Sequence, residues 1–178
     1  MMKKLSLIYS WFIWAITFFI PDSKLTMRFR GWLYSFGMFK CGRNFQVSSS
    51  AKLFGIDKLC AEDDVFIASN VVINTGGKVY LQSGVMIGIG SVIVAGNHTL
   101  NNGSYRFGQR SESDIVIGNG SWIAANCTLV SGSVFPPSSL LAANSVFTKT
   151  ETVSSGLYGG VPAQLLKRKC ECVGKYND

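Results

Sequence analysis

Along most of this chain an aliphatic residue returns every sixth position. The series runs Ala61, Ile67, Ile73 and Val79; a two-residue step resets it at Leu81, and Ile87 and Ile93 follow. After a break it resumes at Ile117, Ile123, Leu129, Phe135, Leu141 and Phe147. The residue four places after an anchor is often small or β-branched, as at Val65, Val71, Ser91, Cys127, Ser133 and Ser145. Gly, Asn, Asp and Ser fill the positions between, as in Gly118-Asn119-Gly120 and Ala143-Asn144. This period is neither that of an amphipathic helix nor the strict alternation of a half-buried strand. Each unit reads as a short strand and a tight turn, with Gly or Asn where φ is positive. Three units close a triangular coil with the anchor inside; coils then stack, bury a continuous aliphatic column and pair their edges, rising about 4.8 Å each. A β-sandwich would need alternation and hairpin turns, which this stretch lacks. The unit at Phe135-Pro136-Pro137 is degenerate, which predicts an irregular turn there.

The repeat divides the chain. Residues 1–40 form an N-terminal hydrophobic and amphipathic helical arm. Residues 41–150, with an inserted loop over 99–114, form roughly five coils. Residues 151–178 are a C-terminal extension with a basic tail, in which a short helix is expected. In the arm, Lys3 and Lys4 precede a mostly apolar run from Leu5 to Ile20. As a helix this run spans roughly 24 Å, short of the ~30 Å hydrocarbon core of a bilayer. No small-x-small cleavage pattern follows it, so a signal peptide is not expected. Ser6, Ser10 and Thr17 share one side of the helix, while Trp11, Phe12, Trp14, Phe18 and Phe19 occupy the rest. Two readings stay open: a helix packed on its own protein or a neighbouring subunit, or an interfacial helix at the inner membrane surface. From Ser23 to Lys40, Leu25, Phe29, Trp32, Leu33 and Phe36 make an apolar stripe with Lys24 and Arg28 off it, although Gly31 and Gly37 weaken a helix.

Seventeen Lys and Arg against ten Asp and Glu give a net charge of +7, which favours anionic partners. The basic residues gather towards the ends and leave the centre nearly neutral, so no nucleic-acid stripe is present. Five cysteines have no zinc-ligand spacing, and a single histidine argues against a histidine-rich metal site. Together with the missing signal, this points to a reducing, cytoplasmic location, peripheral at the inner membrane if the arm is interfacial.

The hexads, with Ile73-Asn74-Thr75-Gly76-Gly77-Lys78-Val79, then Ala95-Gly96-Asn97-His98 and the closing Tyr158-Gly159-Gly160-Val161-Pro162-Ala163, resemble the bacterial hexapeptide-repeat acyltransferases. Within that group they look like the sugar O-acetyltransferases of colanic acid, capsule and O-antigen clusters. The resemblance implies an all-β fold, a left-handed parallel β-helix, against the usual right-handed crossover. It also implies a homotrimer with active sites between prisms, acetyl-CoA as co-substrate without a metal, and a sugar or lipid-linked saccharide as acceptor.

Residue by residue, the resemblance makes His98 the general base, with Asn97 positioning the imidazole. A neutral imidazole can take a hydroxyl proton as the oxygen attacks a thioester. Acceptor-binding candidates are Asn70 and Asn74 on the coils and Arg106 and Arg110 in the loop; a substrate-contacting Asn of the galactoside enzymes falls here on Ala68. Donor-binding candidates are Trp122, Ala125, Ala143, Thr148 and Lys149, with Lys167 and Arg168 for the CoA phosphates. The function expected is acetyl-CoA-dependent O-acetylation of a sugar hydroxyl on a bacterial surface polysaccharide or its precursor. Two alternatives remain: N-acylation of an amino-sugar nucleotide, and a non-catalytic β-helix scaffold. A carbonic anhydrase of the same fold would need several histidines per metal.

Overall fold

The computed structural model describes residues 2–168. Helices α1 (Met2–Thr17) and α2 (Lys24–Ser35) precede a left-handed parallel β-helix of about six turns. Its first face stacks Lys40–Cys41, Leu59–Ala61, Val79–Leu81, Ile115–Ile117 and Val134–Phe135. The second stacks Gln46–Val47, Phe66–Ile67, Met86–Ile87, Trp122–Ile123, Leu140–Leu141 and Gly156–Gly160. The third stacks Lys52–Phe54, Val72–Asn74, Val92–Val94, Thr128–Val130 and Val146–Phe147. Register places anchor on anchor: Ala61 opposite Leu81, Ile67 opposite Ile87, Ile73 opposite Ile93. Every hexad anchor from Val47 to Phe147 is buried, none above 3% exposed.

The two-residue step found at Leu81 recurs. Cys41 pairs with Ala61 and Ala61 with Leu81, twenty positions apart, whereas Ile117 pairs with Phe135 after eighteen. The extra pair of residues always falls at the corner between the third and first faces. It gives the first face a second inward residue in three coils, and Leu59, Val79 and Ile115 are fully buried. The inserted loop leaves from this same corner.

The other corners turn through the left-handed region. One column holds Asn44, Asp64, Gly84, Gly120 and Ser138; another holds Asn70, Gly90, Asn126 and Asn144, all with positive φ. Asn and Asp tolerate that conformation better than other side chains with a Cβ. The irregular turn expected at Pro136-Pro137 is not found. Ser138 takes the same left-handed position as Gly120, and its N–H donates to the Asn119 carbonyl at 2.7 Å. The prolines fit because a carbonyl is what this corner needs: Ser121 Oγ donates to Pro136 O at 2.7 Å. Buried serines tie other corners likewise, as Ser91 Oγ does to Ala124 O at 2.8 Å.

Both ends of the prism are covered. At the top, Phe135, Phe147 and Tyr158 meet edge to face, 4.9 to 6.0 Å between centroids. The extension then reverses, and Ala163–Arg168 pairs antiparallel with Gly156–Gly160. Strand therefore stands where a short helix was expected, because the open edge of the second face offers unpaired backbone groups; the rest of the basic tail lies outside the described residues.

At the bottom, α2 crosses the first coil. Its start is a capping box: the Thr26 N–H donates to Ser23 Oγ at 3.2 Å and the Ser23 N–H to Thr26 Oγ1 at 2.9 Å. Gly31 does not break the helix. A Cβ there would lie 1.9 Å from Phe45 O, so the glycine permits contact between helix and coil. Arg30, 1% exposed, fastens the junction. It donates to Val47 O, to Thr17 O and Oγ1, to Ile20 O and to Asp22 Oδ1.

Candidate active site

Three successive corners between the third and first faces, at Gly55–Lys58, Asn74–Gly76 and Gly96–His98, stack into one wall. Their widened turns leave a cavity of about 570 Å³, closed on one side by Glu112 and Arg110 of the loop and at one edge by Leu7 of α1. Close stacking depends on glycine: a Cβ on Gly76 would lie 2.6 Å from Ala95 O.

His98 lines this cavity. Asn97–His98 is a short strand paired antiparallel with Arg110–Ser111, His98 opposite Arg110. The loop between is held by its own bonds. The Thr99 N–H and hydroxyl both donate to Gln109 O, at 2.9 and 3.0 Å, and Asn101 Nδ2 donates to Phe107 O at 3.2 Å. The imidazole is therefore carried on paired backbone, and both Asn97 and His98 are solvent-exposed.

The stacked corners carry charged and polar groups beside the apolar Phe54 and Val94. Lys58 Nζ donates to Gly76 O and to Glu112 Oε2, the latter at 2.9 Å, with both side chains about a quarter exposed. This ion pair joins the first corner to the loop. Thr75 Oγ1 donates to Phe54 O at 3.1 Å and also to Gly55 O. The Asp57 backbone N–H donates to Ser6 Oγ at 3.4 Å, while its Oδ1 is buried with no hydrogen-bond partner.

Of the residues singled out from sequence, Asn74, Asn97, His98 and Arg110 come together here. Asn70 does not line the cavity: it holds a left-handed corner between the second and third faces. Arg106 lies in the loop with its guanidinium 5.6 Å from the Phe107 ring. Trp122 and Ala125 line a different groove, about 380 Å³, with Met86, Ile89 and Phe66 on the second face. Ala143 is exposed one coil above Ala125, whose carbonyl receives the Asn144 N–H at 3.0 Å. Thr148 is exposed near the top. Lys149 is bound to Glu151 at 2.6 Å and Gln164 at 2.8 Å, and Lys167 and Arg168 are exposed on the last strand.

Asp57, Lys58, Thr75 and Glu112 were not singled out from sequence. One signal could have found the first three. Extending the hexads back to Leu53 and Val47 exposes the twenty-residue coil and stacks Gly55–Lys58 under Thr75–Gly76. Nothing in the repeat marks Glu112, which lies in the insertion.

Among the described residues no group of three or more His, Cys, Asp or Glu could hold a metal ion. Cys41, Cys60 and Cys127 are free thiols, and burial raises all three pKa values, Cys41 to about 11.

No protein-family model matches the chain, and no curated protein does. Solved structures do match in fold. A hexapeptide-repeat acetyltransferase of Vibrio cholerae aligns with a TM-score of 0.81 at 21% identity, over 93% of this chain and 91% of that one. That enzyme has also been solved with acetyl coenzyme A. A maltose O-acetyltransferase of Clostridium difficile aligns with a TM-score of 0.77 at 16% identity, over 94% and 90%. An N-acyltransferase of Bacillus cereus, solved with dTDP and coenzyme A, aligns with a TM-score of 0.59 at 15% identity, over 78% and 88%.

Proposed function

We propose that this chain is an acetyl-CoA-dependent O-acetyltransferase acting on a sugar hydroxyl of a bacterial surface polysaccharide or its precursor, as a cytoplasmic homotrimer. The observation that carries the reading is the chain's one histidine on the rim of a cavity of about 570 Å³. A saccharide needs hydrogen-bond partners as well as apolar contact. Asn74, Asn97 and Arg110 supply acceptors and donors within the same space as the imidazole.

The reaction follows from those groups. The sugar oxygen attacks the thioester carbonyl carbon while His98 takes the hydroxyl proton. The tetrahedral intermediate collapses, the C–S bond breaks, and the coenzyme leaves as a thiolate that recovers the proton from His98. No acyl-enzyme forms. Asn97 orients the imidazole; Asn70 and Arg106 would contact only a longer acceptor reaching beyond the cavity.

The donor lies along the coils above the loop, on Trp122, Ala125, Ala143, Thr148 and Lys149, with Lys167 and Arg168 at its phosphates. Trp122 and His98 stand on different edges of one prism. A trimer, in which a neighbour's second face meets this corner, would put both at one cleft. The fold likeness to acetyltransferases, one of them solved with acetyl coenzyme A, supports this reading.

The test is thiol release from acetyl-CoA over a panel of acceptor sugars, with the parent and His98→Ala. Release that needs an acceptor and disappears in the variant supports the assignment. Equal release from both proteins removes His98 as the base. An alkali-stable product would move the reading to N-acylation, which the likeness to the B. cereus enzyme keeps in view.

A further inference from the structure

The two arm helices are built inside out. On α1 the buried side is Ser6, Ser10 and Thr17 around Ile13, while Leu5, Ile8, Trp11, Phe12 and Ile16 are each at least half exposed. Phe19, just beyond, is 87% exposed. On α2 the outward stripe is Leu25, Phe29, Trp32 and Phe36, and its rings are already stacked: Phe29 on Trp32 at 5.9 Å, Trp32 on Phe36 at 4.9 Å. Thirteen of the 22 large apolar side chains exposed among the described residues belong to residues 5–39. Exposed apolar side chains in that number along two packed helices mark an interaction face.

Charge distinguishes what covers it. Eight of the 17 Lys and Arg, but only one of the ten Asp and Glu, lie within residues 1–54. That segment therefore carries the chain's entire formal charge of +7, and the remaining residues are neutral in sum. Lys24, Arg28 and Lys40 are exposed beside the aromatic stripe. A second copy meeting this face would bring like charges together, which opposes self-association. An anionic bilayer supplies both an apolar layer for the rings and a negative surface for the cations, at about 1 kcal/mol per basic residue near it. Tryptophan suits the boundary, and three of the chain's four, Trp11, Trp14 and Trp32, lie in the arm. No helix of the described residues is long and apolar enough to cross a membrane, so a docked α1 would lie in the plane of the interface.

We propose that the arm docks the enzyme on an anionic lipid surface. The same helix that docks also supplies Leu7 to the His98 cavity. On the reading of that cavity as an acetyl-transfer site, docking presents it to saccharides carried on lipid rather than to free sugars.

The experiment is sedimentation of the intact protein with vesicles of equal parts phosphatidylglycerol and phosphatidylcholine, against vesicles of phosphatidylcholine alone. Binding to the anionic vesicles, about tenfold or more stronger than to neutral ones, is expected to weaken with salt and to shift tryptophan emission to the blue. The double variant Phe12→Asp, Phe29→Asp changes only exposed side chains. It is expected to lose sedimentation while releasing thiol with a soluble acceptor as the parent does. His98→Ala is expected to sediment like the parent, which separates docking from the acetyl-transfer reading. The proposal is overturned if the parent ignores anionic vesicles, if the double variant binds them equally, or if that variant instead dissociates the oligomer.

Discussion

The prism and the arm bury opposite kinds of side chain. The prism turns its Ile, Leu and Val inward and holds its corners with Asn, Gly and Ser. The arm turns serine, threonine and Arg30 inward around Ile13, Met27 and Tyr34 and leaves most of its rings in solvent. The prism is thus stabilised by apolar area removed from water, roughly 25 cal/mol per Å². The arm adds Ile13 and Tyr34 to the same core, with Tyr9, Leu33 and Met38 packed against it. It is also held by named polar contacts, above all the five hydrogen bonds of Arg30 and the bond from Tyr9 Oη to Leu33 O at 2.8 Å. A segment held this way keeps its apolar side available for another surface. The site sits where the two meet, at the widened corners of the prism beside α1.

Substitutions can break that contrast or sharpen it. The largest effect is expected at the site: His98→Ala lowers the acetyl-transfer rate about 10²–10⁴-fold, the usual share of general-base catalysis. Because His98 is exposed, the thermal midpoint stays where it is, and a scan beside the rate assay checks both. Next comes Arg30→Met. It takes the Arg30 donor from the carbonyls of Ile20 and Val47 and one of two donors from that of Thr17, while Asp22 keeps its bonds from Ser48 and Ser49; about 1–3 kcal/mol is expected for each buried acceptor left open. The loss should be local. Amide exchange is expected to quicken across α1 and α2 and to stay slow across the upper coils. Equal quickening in both would mean that arm and prism unfold as one unit.

Ile73→Ala should do the reverse. It opens a hole in the continuous core and costs about 2–5 kcal/mol, read as a lower urea midpoint shared by all coils. Ser121→Ala removes a donor from the buried Pro136 carbonyl and an acceptor from the Ser139 N–H. A loss of about 1–3 kcal/mol is expected in the same urea assay.

The smallest effect is one of pH. Burial alone would raise the Asp22 pKa, but bonds from Ser48 Oγ and the Ser49 N–H, with Arg30 beside it, bring it below the usual carboxylate value. A lowered folded-state pKa means the contribution is complete above the unfolded value, about 3.9, and fades as pH falls through the folded one. Arm docking should be flat from neutral pH to about 4 and loosen below that. Amide exchange of α2 at stepped pH checks it, and Asp22→Asn should remove the dependence.

The hexads were legible because a stacked prism admits only apolar residues at its inner positions, and every anchor proved buried. The corner residues were legible as turn formers, but their roles were not. Asn70 and Asn74 look alike in sequence; the fold sends one to a left-handed corner and the other to the cavity. The proline unit misled because a corner needing a carbonyl and one left-handed residue does not object to Pro136 and Pro137 ahead of Ser138. The C-terminal strand was hidden because its partner is a coil edge that exists only once the prism has closed.

By itself, then, the chain's order of residues determined a coil of three strands, its inward column and the place, just after His98, where the repeat breaks for a loop. Those are short-range facts, since six residues suffice to set a strand and a corner. Only the tertiary structure decided that Asp57, Lys58, Thr75 and Glu112 share a cavity with that histidine, and that the arm shows its rings outward. Lys58 and Glu112 are 54 positions apart, and no local pattern links them. Stacking joins them because coils of nearly constant length return each corner to the same edge.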